Sequence, residues 1–521
     1  MNEIFSNEFK KILLDEIPAF REFGHKFLNG EVSKMDFKKV SGGFGIYAQR
    51  DQKSFMIRLR VSCGVFSKEQ LNKLYEIAKK YNLEKVHLTT RQAIQLHDLS
   101  IDDVCDIMEE CIHKDIFTRG GGGNFPRNVA ISPLSGVDEE DMFDIVPYAL
   151  ACDNHFIKNS YTYKLPRKLK VSVASNNKDA SHCTVQDLGF VACKDGEKDC
   201  FKVYFGGGMG RNPKIGIELG EIIDAKDILY HIDAMVLMFE RKGNYENKNK
   251  ARVRYMIDTL GEDGFRSEYK KALEDVKAKG GLDLTITPID YTKNGVKTEL
   301  KHSRLFAQKQ EGLYSVYVHP VCGQFRVSDL KDLIDELNEM ENIHVRSSMT
   351  EGFYVLNLNG KEAERVLDLT SKYSAETRLD QSVACIGVPT CQMGVSNSQH
   401  LLEDVIKYFD DNKCKKDILP SLHISGCPNS CGVPQIGAIG LSGKNKRIDN
   451  VSTPVYEISI GGKVGVGISR FGKVYGDIKE VEVKVFLLEL YKEIEASGTT
   501  FEDFVYNQED KFNKIIDKYL V

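Results

Sequence analysis

A stretch of about forty residues occurs twice in this chain, and no other feature narrows the fold as much. Cys63-Gly64-x-Phe66 returns as Cys322-Gly323-x-Phe325, 259 residues further on (63 to 322). At the same offset, without a gap, Leu71 falls on Leu330, Leu74 on Leu333, Val86 on Val345 and Leu99 on Leu358. In the first copy, residues 55–64 alternate apolar and polar as a half-buried strand does. Ser67 with Gln70 reads as a capping box, and Leu71, Leu74, Ile77 and Ala78 form the stripe of the helix that follows. Residues 86–99 read as a second strand region. Two copies are too few for a solenoid and predict two pseudo-symmetric halves.

Looser matches extend each copy. Asn128-Val-Ala-Ile-Ser-Pro133 parallels Ser382-Val-Ala-Cys385, and Leu165-Pro166 through Ser172 parallels Leu419-Pro420 through Ser425. Gly206–Gly210 parallels Gly461–Gly465. In this register the first half carries Arg127, Lys168 and Lys170 where the second carries cysteines, so a basic wall is expected to face them. The fold class expected is α+β and internally duplicated. Four domains follow: 1–115 (helical lead-in plus repeat), 116–265, 266–365 (connector plus repeat) and 366–521 with C-terminal helices.

The cysteines of the second half form two pairs, Cys385-x5-Cys391 and Cys427-x3-Cys431. Soft thiolates select iron–sulfur clusters or zinc. Zinc pairs usually sit two to four residues apart, so the wider first pair favours a cluster. The alternatives are structural zinc, a cluster-only electron carrier, or four thiols packed as small hydrophobes. Between the pairs, Leu402, Val405, Ile406 and Phe409 predict a spacing helix. Thirteen cysteines, an odd number, with a charged start and no apolar leader, predict a reducing cytoplasm rather than disulfides. Lys+Arg 71 against Asp+Glu 76 gives −5, which excludes a global basic field for nucleic acid. No apolar run is long enough for a bilayer.

Three further features are ambiguous on residues alone. Gly120–Gly123 lacks dinucleotide spacing and reads either as a flexible loop or as backbone approaching a large ligand. Arg58 and Arg60 share one face of a strand, as do Lys168 and Lys170, and outward strand charges are usually solvated. Residues 262–302 read as a helix plus connector, and 478–497 and 500–519 as two packing helices bearing Val485, Leu488, Leu490, Phe504, Phe512, Ile515 and Ile516.

The duplication together with C-x5-C…C-P-N-x-C resembles the sirohaem- and [4Fe–4S]-containing sulfite and nitrite reductases over nearly the whole chain. The resemblance implies that Cys385, Cys391, Cys427 and Cys431 hold the cluster, with Cys431 bridging to the sirohaem iron. It implies that Arg58, Arg127, Lys168 and Lys170 meet the substrate anion. Thr89, Thr90, Arg91, Gln95, Arg167 and Asn429 are similar to positions that hold sirohaem. His87, where a basic haem contact is often Arg, and the Phe125-Pro126 pair depart from the pattern. Lys-x-Lys rather than Lys-x-Asn at 168–170 tilts the expectation to sulfite, with nitrite the alternative. The chain shows no flavin, nicotinamide or ferredoxin module, so an external donor, ferredoxin, is expected. Lys242–Arg254 or Lys293–Arg304 are candidate docking patches on an expected monomer.

Overall fold

The computed structural model describes residues 5–521, which form two compact units. One comprises the chain through Gly208, Lys214–Val318 and Gln324–Lys372; the other comprises Met209–Pro213, His319–Gly323 and Tyr373–Val521.

The first unit contains both repeats. The first repeat's sheet runs in the order Ile46–Ala48, Phe55–Leu59, Ile94–Leu99, Lys85–Leu88 and Gln324–Arg326. The second runs Leu305–Ala307, Leu313–Val318, Phe353–Asn359, His344–Ser347 and Val65–Phe66. Each repeat therefore lends its Cys-Gly-x-Phe strand to the other's sheet: Phe325 pairs with Val86, and Phe66 with Val345. Both hand-overs begin at a cysteine in a left-handed kink, Cys63 at φ 56° and Cys322 at φ 58°. The exchange closes one edge of each sheet that would otherwise expose unpaired backbone groups. The helix Lys68–Lys80 carries the expected Ser67–Gln70 capping box. It packs Leu71, Leu74, Ile77 and Ala78 inward, and the helix Val327–Asn338 does the same with Leu330, Leu333, Ile334 and Leu337.

The third sheet of this unit has the order Ile217–Asp224, Lys198–Phe205, Leu188–Asp195, Val171–Ala174 and Ala130–Ile131. The two short strands run parallel to their neighbours, and the longer ones form an antiparallel meander. The helices Val146–Lys158, Ile228–Lys242 and Val253–Lys279 supply most of its core, which includes Phe156, Met235, Phe239 and Phe265. Beyond Lys279 the connector has no regular structure, yet Leu282, Leu284, Ile286 and Ile289 lie on that core.

The second unit repeats the same sheet: Val383–Ala384, Leu422–Ser425, Ile439–Ile448, Val451–Ile460 and Lys473–Lys479, with identical strand directions. The helices Ser398–Asp411 and Val483–Ser497 cover it. The last expected helix is broken in two, Phe501–Asn507 and Glu509–Ile516, at Gln508 (φ −123°, ψ 39°). Phe504, Phe512, Ile515 and Ile516 are buried as expected, but Val485 faces outward.

Candidate active site

In the first unit, Phe55, Ile57 and Leu59 enter the core, so Met56 and Arg58 occupy the opposite face of their strand. Tyr47 lies opposite Met56 and Gln95 opposite Arg58. With its amide oxygen turned to the guanidinium, Gln95 accepts from Arg58 Nη2 at 2.6 Å and Nε at 3.1 Å. Arg58 also donates to the Gly121 carbonyl. Arg60 is 1% exposed, which decides against the solvated alternative for this residue. It pairs with buried Asp153 at 2.8 Å and donates to the carbonyls of Arg119 (3.2 Å) and Pro126 (3.3 Å). Asp153 in turn accepts from Val129 N at 2.8 Å, so one buried ion pair anchors both ends of the 119–129 loop.

That loop is packed rather than flexible. Gly120 N donates to Gly43 O at 2.9 Å, and Gly123 N to Tyr47 Oη at 3.0 Å. A side chain at Gly122 would overlap Tyr47 Oη and the Gly42 carbonyl. The partner run Gly42-Gly43-x-Gly45, placed just before a strand, was the signal in the sequence for this close backbone contact. Arg127 folds onto the same loop, donating to the carbonyls of Gly120 (3.1 Å), Gly123 (2.8 Å) and Gly122.

Phe125-Pro126 extends the parallel pairing. Leu169 N donates to Phe125 O at 3.2 Å and Arg127 N to Leu169 O at 2.8 Å, which sets Arg127 beside Lys168–Lys170. Leu169 is fully buried, so Lys168 and Lys170 flank it on the other face. Lys170 N donates to Asp187 Oδ2 at 2.9 Å, and Arg252 grips Asp187 through Nε (3.1 Å) and Nη2 (2.7 Å). Arg91 donates to Val171 O (2.8 Å) and Gln186 Oε1 (3.3 Å), while its Nε is buried without an acceptor. Thr89 Oγ1 accepts from Arg91 N and Ala93 N and so shapes the turn that carries Thr90 and Arg91. Arg167 is partly buried near Arg252, Tyr47 and Asp187. His87 is buried on the strand next to Gln95.

These side chains share one electrostatic neighbourhood. Burial drives the Arg127 guanidinium down to about 9; Tyr47 opposes the shift, and Arg58, Arg60 and Arg91 add to it. Burial takes Arg91 to about 10, where Asp187 and Asp153 oppose Arg252 and Arg60. Arg167 is lowered too, by burial and by Arg252. Asp153 and Asp187 are too few carboxylates for this many buried cations. The surplus, with the orphaned Arg91 Nε, fits a polycarboxylate macrocycle and a small oxyanion.

Two expectations about the surface are corrected here. Arg252 and Arg254 are buried, and Arg304 is fully buried against Thr370, Tyr317 and Leu367. Lys293 is committed to Glu362 at 2.7 Å. Neither proposed docking patch is therefore a run of free surface cations.

In the second unit, Cys385 follows the strand Val383–Ala384, its N donating to Ile424 O at 3.1 Å. Cys385 Sγ accepts from Gly426 N at 3.2 Å and lies 3.4 Å from Ser398 Oγ, at the start of the helix Ser398–Asp411. Leu402, Val405 and Phe409 of that helix are buried, as expected of a spacer. Cys391 N donates to Gly387 O at 2.7 Å. Asn429 hydrogen-bonds Cys427 through both its backbone and its side chain. Gly210 rests against the carbonyls of Pro428 and Asn429, a role for the Gly206–Gly210 run that spacing alone did not assign. Burial and then Cys431 raise the Cys385 thiol, while burial raises Cys427, which also feels Cys431 and Cys391. All four thiols therefore converge, and Cys431 is the exposed one.

Among the described residues no three His, Cys, Asp or Glu side chains close to single-ion spacing. Four convergent thiols with N–H donors aimed at sulfur fit a cluster. The register expected from sequence is corrected: strand pairing sets Ser132, Asn176 and Ala180, not Arg127, Lys168 and Lys170, at the places of Cys385, Cys427 and Cys431. The basic residues precede their strands, whereas the cysteines follow theirs.

Comparison with known proteins places these features in context. Residues 122–277 match the family model described as nitrite and sulphite reductase 4Fe-4S domain, and residues 47–113 match the nitrite/sulfite reductase ferredoxin-like half domain. The first of these lies on the module without the four cysteines. The assimilatory ferredoxin-dependent nitrite reductase of Haloferax mediterranei is 24% identical, over 94% of this chain and 88% of that one. A ferredoxin–nitrite reductase of Synechococcus elongatus is 26% identical over 79% and 80%. A sulfite reductase [ferredoxin] 1 of Mycolicibacterium paratuberculosis is 24% identical over 85% and 82%. The structure of the Mycobacterium tuberculosis NirA protein superposes with a TM-score of 0.78 at 22% identity, covering 97% and 96%, which shows the same fold. No helix among the described residues is long and apolar enough to cross a membrane.

Proposed function

Since the chain belongs to the family of nitrite and sulfite reductases, sirohaem-dependent oxidoreductases with a [4Fe–4S] cluster, we propose that it reduces nitrite to ammonia by six electrons, with sulfite the slower substrate. What carries the reading is the surplus of buried cations around Arg127 in a chain that also gathers four thiols. Relatives named as nitrite reductases outnumber the sulfite reductase among those compared. Lys168-Leu-Lys170 is the one observation that favours sulfite, because a dianion gains more from a second lysine.

In this proposal Cys385, Cys391, Cys427 and Cys431 would ligate the cluster, with Cys431 the exposed thiolate of the four. Arg91 and Arg167 would bind sirohaem carboxylates, supported by Thr89, Thr90 and Gln95, while Asn429 of the second unit would steady the Cys427 thiolate. When bound, the sirohaem and the cluster would supply electrons to the oxyanion one at a time. Arg58 and Arg127 orient the oxyanion, since guanidinium stays charged at neutral pH. Lys168 and Lys170 hold protons for the departing oxygens, as ammonium groups among other cations give them up readily. The donor is ferredoxin, as the names of the relatives suggest.

Steady-state assays with reduced ferredoxin test the substrate. The expected result is a larger kcat/KM for nitrite than for sulfite. The reverse ratio returns the assignment to sulfite. A visible spectrum without haem bands removes the proposal altogether.

A further inference from the structure

Tyr47 has no role in the scheme above, yet it stands among the groups that scheme uses. Its strand, Ile46–Ala48, forms the edge of the first repeat's sheet, and the phenol points to the face that carries Arg58. Three contacts converge on one short loop. Gly123 N donates to Tyr47 Oη at 3.0 Å, Arg58 donates to Gly121 O, and Arg127 donates to Gly120, Gly122 and Gly123 carbonyls. The absence of a side chain at Gly122 is what leaves room for the hydroxyl.

We propose, resting on the oxyanion reading above, that Tyr47 is a positioning residue for the anion pocket, fixing the glycine loop from which Arg58 and Arg127 present their guanidinium groups. The hydroxyl supplies the acceptor that Gly123 N needs, so the loop carbonyls remain free to hold the two arginines in place. Its ionisation then matters for substrate. Burial by itself would raise the phenol, but Arg127 and Arg58, the Gly123 N–H and Lys38 outweigh it, and the net direction is down. Arg167 also feels this phenol. The folded phenol therefore ionises below its unfolded value. Protonated Tyr47 leaves the arginines their full charge. As pH rises through the lowered value, phenolate takes up that charge and oxyanion binding weakens.

The test uses the holoenzyme carrying Tyr47→Phe, and an isosteric variant with 3,5-difluorotyrosine at 47, whose phenol is more acidic. Haem absorption and iron content are measured first. Nitrite binding to the oxidised enzyme is then titrated by the haem spectrum across pH, beside steady-state kinetics. Tyr47→Phe is expected to weaken nitrite binding about 10-fold, to raise KM more than it lowers kcat, and to lose the alkaline limb of binding. The fluorinated enzyme is expected to show that limb at lower pH. Loaded variants with wild-type affinity, or a limb that ignores fluorination, overturn the proposal. If Tyr47→Phe does not load, the isosteric variant decides alone. A wild-type enzyme that loads sirohaem but neither binds nor reduces nitrite or sulfite instead overturns the oxyanion reading.

Discussion

The two five-stranded modules, one in each unit, share a backbone and differ in what hangs from it. In the first, Ser132 N donates to Val173 O at 3.2 Å and Ser175 N to Ser132 Oγ at 3.2 Å. In the second, Cys385 N donates to Ile424 O at 3.1 Å and Gly426 N to Cys385 Sγ at 3.2 Å. The loops that follow match bond for bond. Asp179 N donates to Asn176 O as Ser430 N does to Cys427 O, and left-handed His182 stands where left-handed Val433 does. The donor that reaches sulfur in one module already reaches a hydroxyl in the other. The modules thus differ in side chains, not in backbone preparation. The first fills its loop with a carboxylate: Asp179 accepts from Cys183 N, Thr184 N (2.9 Å) and Thr184 Oγ1 (2.8 Å). The second has Ser430 there and leaves the loop to its thiols.

The largest break in this comparison is removal of one sulfur. Cys427→Ala is expected to abolish cluster loading and to cost activity more than about 100-fold, while far-ultraviolet circular dichroism stays near wild type. Iron and acid-labile sulfide analysis checks it. Full iron retention would show that the remaining thiols suffice and that Cys427 is only packed.

Next is Asp187→Asn. Strand pairing puts Ala438 at the matching place in the second module, so this carboxylate belongs to the basic pocket alone. Its loss leaves Arg252 buried beside Arg91 with no counter-charge, which is expected to cost about 3–5 kcal/mol of stability in the first unit. Denaturant unfolding measures it. Within the same pocket, Arg127→Ala is expected to raise KM for nitrite about 10-fold or more with the haem spectrum intact.

How much of this was legible follows from what each feature depends on. The duplication, the capping box at Ser67 and the stripe from Leu71 to Ala78 rest on local periodicity and were readable. The exchange of Phe66 and Phe325 between sheets was not, because a two- or three-residue strand carries no mark of its partner. Arg60 stayed ambiguous in the sequence, since period two gives a side chain's face but not what covers it, and Asp153 lies far off in sequence. The spacing of the four cysteines was readable as a set. The register of the two modules was off by one or two residues around Cys385 and Ser425, since short apolar strands align equally well at neighbouring offsets.

A smaller effect separates substrates. Lys170→Asn keeps the backbone N–H that Asp187 accepts and removes only the ammonium. It is expected to shift the nitrite-to-sulfite ratio of kcat/KM several-fold toward nitrite, as a dianion loses more Coulomb attraction than a monoanion. An unchanged ratio would take Lys170 out of the substrate's field.

The smallest expected effect is the most direct test of shared backbone preparation. Ser132→Cys places sulfur where Cys385 has it, with the same N–H, that of Ser175, already aimed at it. Sulfur is larger than oxygen and a weaker acceptor, so the substitution should cost no more than about 1 kcal/mol. It should add no iron, since Asn176 and Ala180 stand where the other module has Cys427 and Cys431. Iron per chain therefore equals wild type, and reactivity toward a thiol reagent after unfolding rises by one. Extra iron in this variant would mean that one sulfur and a preformed loop are enough to nucleate a metal site. The difference between the modules would then lie in a single atom rather than in four.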